Sequence, residues 1–400
     1  MPLSLHWFLP TAGDSRDVVG FGPTVGRREV DLGYLSQVAR AAEHVGFDAV
    51  LTPTGTWCDD AWVATAALIP ETTRLRFLVA FRPGAVSPTL AAQQALTFQR
   101  LSGGRLLLNI VTGGSSEEQR RFGDFADKDT RYARTAEFLQ IVRGAWSGTP
   151  FDFAGDHYRV EGATVAHRPD PQPPIFFGGS SAAGKQVAAH HADTWLMWGE
   201  PLDEAARQVR EVRALAAEAG RSISFGVRLH VIARDRPEDA WAVTDRLLDA
   251  MPPEVVARAQ QHLAYAESVG QRRMAALHGG RRDDLVVAPN LWAGFGLVRS
   301  GAGTALVGSH DEVAARIAEY HEAGFDHVIL SGQPHLEEAY WFGEGVIPRL
   351  RDAGLLAARP APTPAAAPAD AAGAPRRGPV PGEPAPAPPA PPPLVPASAG

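Results

Sequence analysis

Val227-Arg228-Leu229-His230-Val231-Ile232 reads as a buried strand in which a permanent cation and a titratable imidazole stand two residues apart. Side chains alternate between the faces of a strand, so Arg228 and His230 share one. An apolar face holds an arginine only against something anionic, because an unpaired buried charge is very costly. The segment therefore reads as the floor of a binding site.

Outward from that floor, similar short apolar runs recur at Leu3 to Leu9, Ala49 to Leu51, Leu75 to Ala80, Leu106 to Val111, Pro174 to Phe177, Thr194 to Trp198, Ser224 to Ile232 and His327 to Leu330. Amphipathic helical stretches such as Tyr34 to His44, Thr89 to Leu101, Tyr132 to Trp146, Leu202 to Ala219 and His310 to Ala323 lie between them. Alternation of this kind predicts a parallel sheet with crossover helices. Eight β/α units over residues 1–355 fit a (β/α)8 (TIM) barrel better than a doubly wound sheet, since no G-x-G-x-x-G follows the first strand.

Two insertions interrupt the pattern. Thr149 to Val165 reads as a hairpin before the fifth strand. Met251 to Asn290 is longer, and an excursion at this point of a barrel is expected to serve as a mobile lid over the top face. From residue 356 the chain becomes Pro/Ala-rich, with fifteen of its 34 prolines between Arg359 and Gly400. Such a tail cannot bury enough surface to offset ordering and is expected to be disordered.

The net charge of −7 comes from interspersed acids and bases without a basic stripe, so nucleic acid and anionic membrane are not expected partners. Met1-Pro2-Leu3-Ser4-Leu5-His6 lacks the basic and apolar regions of a leader, and no apolar 18-mer follows; a cytoplasmic location is expected. The single cysteine, Cys58, excludes an internal disulfide and a cysteine-cluster metal site. Lys128 and Lys185 are the only lysines among 38 basic residues, a bias attributed to base composition.

Chemistry in such barrels sits at the C-terminal ends of the strands. Cys58 follows the second strand and by itself reads as a small loop residue beside Asp60, a helix N-cap. Asn109 breaks the apolar fourth strand with an amide that must be satisfied, by a flavin or sugar ring edge or by a neighbouring loop. Gly178-Gly179-Ser180-Ser181 opens a helix, either as a phosphate cradle or as an ordinary cap. Gly301 to Ser309 reads as a close-approach loop or a hinge.

Phe8-Leu9-Pro10-Thr11, Pro53-Thr54-Gly55 with Cys58-Asp59-Asp60-Ala61-Trp62, Val111-Thr112-Gly113, Arg131-Tyr132, Phe177-Gly178-Gly179-Ser180-Ser181, Trp198-Gly199-Glu200-Pro201, Arg228-Leu229-His230-Val231, Asn290-Leu291-Trp292-Ala293-Gly294 and Pro334-His335-Leu336-Glu337-Glu338 follow one another in order. Together they resemble the alkanesulfonate monooxygenase family, within the bacterial-luciferase-like flavin barrels. The resemblance implies a two-component enzyme in which a separate NAD(P)H:FMN reductase supplies reduced FMN, O2 is the second co-substrate, and an aliphatic sulfonate is split to an aldehyde and sulfite. It also implies a homotetramer. It places Arg228, His230, Cys58 and Arg299 in the active site, with Arg228 holding the sulfonate, His230 handling protons and Arg299 beside the mobile insertion. Asn109, Tyr132, Gly179, Ser180 and Ser181 are the matching flavin and phosphate contacts.

Four positions depart from the family pattern. Gln333 stands where the family has tyrosine, Ala12 where it commonly has histidine, and Thr56-Trp57 where Arg-Ser precedes the cysteine. These changes alter pocket size and polarity. They keep open a luciferase-like enzyme acting on a sulfone, an alkane or another small acceptor, while retention of Arg228, His230 and Arg299 argues against a non-catalytic flavin-binding barrel.

Overall fold

The computed structural model describes residues 1–18 and 27–357; the Pro/Ala-rich segment from 358 onward lies outside the described residues. The expected barrel is present. Its first four strands are β1 (Ser4–Phe8), β2 (Ala49–Thr52), β3 (Arg76–Phe81) and β4 (Leu106–Ile110). The first insertion follows as an antiparallel hairpin, β5 (Phe151–Ala154) with β6 (Arg159–Ala163). The barrel resumes with β7 (Ile175–Gly178), β8 (Thr194–Trp198) and β9 (Ser224–Arg234). Three further strands, β10 (Val286–Ala288), β11 (Leu291–Trp292) and β12 (Ala305–Ser309), precede the last barrel strand, β13 (His327–Ser331). Every neighbouring pair in the ring β1-β2-β3-β4-β7-β8-β9-β13 is parallel, and β13 pairs back on β1. The near-continuous apolar runs follow from this: a parallel strand inside a ring of helices is buried on both faces.

The eleven residues of β9 do two jobs. Its first half lies in the ring between β8 and β13, with Arg228 level with Trp198 and His230 level with Ser331. Its second half rises beyond the ring, and there β12 pairs with it from His230 to Arg234. Gly301 to Ser309 is therefore only in part a loop. Ala305–Ser309 is a strand because the projecting end of β9 offers unpaired backbone groups that must be satisfied. Strand β11 adds antiparallel to β12, and β10 antiparallel to β11, completing a small side sheet on the rim.

Inward-facing side chains form layers. Leu51, Leu78, Leu107, Phe176, Leu196 and Ile329 fill the middle of the barrel. Below them His6 Nε2 lies 3.2 Å from His327 Nδ1, and both rings meet Phe176 edge-on. Burial, with His327 and Arg76 nearby, holds His6 well below the ordinary histidine range, and burial lowers His327 to about 4. Both imidazoles are thus neutral in the folded chain, whereas the unfolded chain takes up protons below about pH 6.5. The stability they contribute is present above that pH and is lost as pH falls from about 6.5 towards 4. We expect the melting temperature to drop by roughly 5 °C between pH 7 and pH 5; a flat profile across that window would contradict the buried neutral pair.

Candidate active site

At the C-terminal end of the barrel a cavity of about 220 Å³ is lined by Asn109, Tyr132, Arg228 and Trp198, by the Gly178–Ser181 turn, and by Ser268, Val269 and Gly270 of the long insertion. A larger hollow on the outer face, between helices Ala61–Ala67 and Pro88–Ser102, is almost wholly apolar and has no ionisable side chain in its wall. The barrel mouth is therefore the candidate site.

All five residues expected to hold a cofactor line this cavity: Asn109, Tyr132, Gly179, Ser180 and Ser181. Asn109 points inward from β4, level with Phe176, and its side-chain amide makes no hydrogen bond among the described residues. Ser181 caps helix Ala182–His191, its hydroxyl accepting from the Gly184 amide at 3.2 Å. The turn fits over the helix start because Gly179 and Gly184 are face to face. A Cβ on Gly179 would come within 3.1 Å of Gly184 Cα, and 3.3 Å of the Tyr132 hydroxyl. Free amide edges, hydroxyls and a helix N-terminus in one cleft suit a flavin ring with a phosphate at its end.

Of the residues expected at the catalytic centre, Arg228, His230, Cys58, Arg299 and Gln333 at the family's tyrosine position, Arg228 alone lines the cavity. Its Cζ sits 4.7 Å from the Phe8 ring centre, and its Nη1 donates to the Leu229 carbonyl at 2.6 Å. Among the described residues it makes no ion pair. Burial, and then the neighbouring Arg299, lower its pKa to about 9, which still leaves it cationic at neutral pH. Arg299 is likewise depressed by burial, and its Nη1 is buried without a partner. Arg228, with no carboxylate in ion-pairing distance among the described residues, is free to meet an anion, and Arg299, whose charge is partly offset by Asp14, adds to the positive potential beside it.

His230 is placed otherwise. Its Nε2 lies 3.1 Å from the Ala302 carbonyl, and its Nδ1 lies 2.7 Å from Ser331 Oγ. A carbonyl only accepts, so Nε2 carries the hydrogen and Nδ1 accepts from Ser331. The ring also stacks on Phe295 at 4.1 Å. Burial, with Arg228 and Arg299 next, holds it well below the ordinary histidine range. Both nitrogens are thus engaged within the chain, at the point where β9 leaves the barrel.

Cys58 sits in the loop after β2, its Sγ 3.6 Å from the Gly55 carbonyl and 3.8 Å from that of Pro53. Burial pushes the thiol up to about 11, so it is a thiol and not a nucleophilic thiolate at neutral pH. Gln333 is in the loop after β13, with Oε1 buried and unpartnered.

The insertion forms part of the roof. Its helix Val269–His278 begins against the barrel, where a Cβ on Gly270 would lie 3.1 Å from the Trp198 ring and 3.5 Å from Ser180 Oγ. Arg273 of this helix donates Nε to both oxygens of buried Glu200 at 2.8 and 3.0 Å. On the other side Ser116 Oγ donates to Glu267 Oε2 at 2.8 Å, and Lys128 Nζ donates to the Glu267 carbonyl at 3.2 Å.

Two features escaped the sequence reading. Lys128 lines the cavity although its rarity was assigned to composition. Buried Asp14 bonds His335 Nδ1 at 2.9 Å and the His335 amide at 2.7 Å. Burial alone would raise the Asp14 pKa, but His335 outweighs it and the carboxylate is lowered. No local signal joins residues 321 positions apart.

A family model for luciferase-like monooxygenases matches residues 4–327. Solved structures of similar fold include a riboflavin lyase (RcaE) with modified FMN and riboflavin, at 23% identity over 89% of this chain and 93% of that one, with a TM-score of 0.75. Long-chain alkane monooxygenase (LadA) has 19% identity, covers 90% of this chain and 93% of its own, and has a TM-score of 0.75. DmoA from Hyphomicrobium sulfonivorans has 20% identity, 89% and 90% coverage, and a TM-score of 0.74. With its family match spanning β1 to the start of β13, the chain belongs to the luciferase-like monooxygenases.

Proposed function

We propose that this chain is the oxygenase of a two-component system, taking reduced FMN from a separate NAD(P)H-dependent reductase and cleaving an aliphatic sulfonate. The reaction balances as R–CH2–SO3⁻ + FMNH2 + O2 → R–CHO + HSO3⁻ + FMN + H2O. The observation that carries the reading is Arg228, a cation on the cavity wall with no counter-ion and a second arginine beside it. A guanidinium fork matches the oxygens of a sulfonate, and within a poorly hydrated cavity its charge acts at full strength.

When bound, reduced FMN supplies the electrons and the activation of O2. Asn109 would hold the ring edge, and Tyr132, Gly179, Ser180 and Ser181 would hold the phosphate. The insertion helix excludes water from the roof, and His230 fixes the strand that carries Arg228. Cys58, Arg299 and Gln333 do not line the cavity itself and would act on it only from behind its wall, from the β2 loop, the segment after the insertion and the β13 loop. The resemblance to alkanesulfonate monooxygenases further supports a homotetramer. Among the described residues no helix is long and apolar enough to cross a membrane.

The test is sulfite release from octanesulfonate with reductase, NAD(P)H and FMN present. One sulfite per aldehyde is expected; aldehyde and sulfite both absent across a series of chain lengths would overturn the proposal.

A further inference from the structure

We propose that Lys128 selects phosphorylated flavin over riboflavin and links that choice to the seating of the 251–290 insertion. The proposal rests on the flavin reading above and adds a residue which that reading does not use.

Lys128 is the first residue of helix Lys128–Ala145, after the N-cap Asp127. A cation is disfavoured there, because the helix macrodipole is positive at its N-terminus. Its ammonium makes no ion pair among the described residues; its hydrogen bond goes to a backbone carbonyl, that of Glu267. The surroundings add to the positive potential. Two more helices start at the same cavity, Ala182–His191 behind Ser181 and Val269–His278 behind Ser268. Arg131, fully buried one turn along from Lys128, has its Nε without a hydrogen-bond partner, while its Nη2 is ion-paired to the half-exposed Glu267 carboxylate at 3.5 Å.

The nearby carboxylates do not cancel this. Asp127 and Asp129 are exposed to solvent. The Glu267 carboxylate is turned to Ser116 at 2.8 Å and stands 3.5 Å from Arg131 Nη2. Burial and then Arg272 lower the Lys128 pKa, and the smaller opposing pull of Asp129 and Glu267 does not restore it. A phosphate dianion would complete the set, with Ser180, Ser181 and Tyr132 supplying directional hydrogen bonds. Riboflavin has no such group. Because Glu267 belongs to the insertion, the ammonium that meets the phosphate also touches the roof.

Anaerobic fluorescence titration of the full chain with reduced FMN and reduced riboflavin tests this, using wild type, Lys128→Gln and Lys128→Arg. Wild type should bind FMN at least tenfold more tightly than riboflavin. Lys128→Gln should lose about tenfold for FMN with riboflavin unchanged, and Lys128→Arg should recover most of the loss. Trypsin should cut within 251–290 more slowly in wild type with reduced FMN than with riboflavin, and this difference should vanish in Lys128→Gln. Riboflavin affinity reports whether each variant is folded. Equal losses for both flavins, or none, would overturn the role of Lys128 and leave the flavin site standing. Failure of wild type to bind either flavin would overturn both.

Discussion

Arg228→Ala is expected to lower turnover of a sulfonate substrate by roughly 30-fold to several thousand-fold. The range follows from about 2–5 kcal/mol for removing one partner of a buried charge-assisted contact, at 1.36 kcal/mol per tenfold. The loss should fall on both KM and kcat, because the anion is held in the ground state and through bond cleavage. Arg228→Lys should lie between, keeping the charge but not the fork. The substitution is not expected to unfold the chain, since Arg228 pairs with no carboxylate and its removal relieves the repulsion from Arg299. Steady-state sulfite assays with the reductase in excess measure the effect. Turnover within tenfold of wild type would show that the anion is held elsewhere.

His230→Ala should act chiefly on stability. It leaves the Ala302 carbonyl and the Ser331 hydroxyl without partners in a buried place, and it removes the ring stacked on Phe295. Together these should cost about 3 kcal/mol and lower the melting temperature by roughly 4 °C. The loss should be concentrated where β9 leaves the barrel, so amide exchange should rise first in Ala305–Ser309 and Leu291–Trp292. Because the imidazole is already neutral near pH 6.5, it should contribute no inflection to the pH–rate profile in that region. A variant of unchanged melting temperature, rescued by added imidazole, would instead assign His230 a free nitrogen and a proton-transfer role.

The barrel was legible because its signal is local and repeated. All eight ring strands stand where apolar runs marked them, since strands buried on both faces cannot be written with polar residues. The hairpin was legible from Phe151, Phe153 and Tyr158 around a turn. The side sheet was not. Gly301 to Ser309 is rich in glycine and short, and only the projecting half of β9 makes it a strand. The shared face of Arg228 and His230 followed from a period of two, but their different surroundings did not. Arg228 looks into the cavity, whereas His230 is held by Ala302 and Ser331, which come from distant parts of the chain. The residues proposed as cofactor contacts stood out through their resemblance to a family and as glycines and serines at a helix start, and all of them line the cavity. Lys128 was passed over because residue frequency says nothing about position.

The most direct test of the central claim, an anion held by Arg228, is product formation from octanesulfonate and from an uncharged methyl octyl sulfone under identical conditions, with reduced FMN supplied by a reductase. The sulfonate should be cleaved at least a hundredfold faster, and the preference should collapse in Arg228→Ala. Equal rates, or faster turnover of the sulfone by wild type, would contradict it.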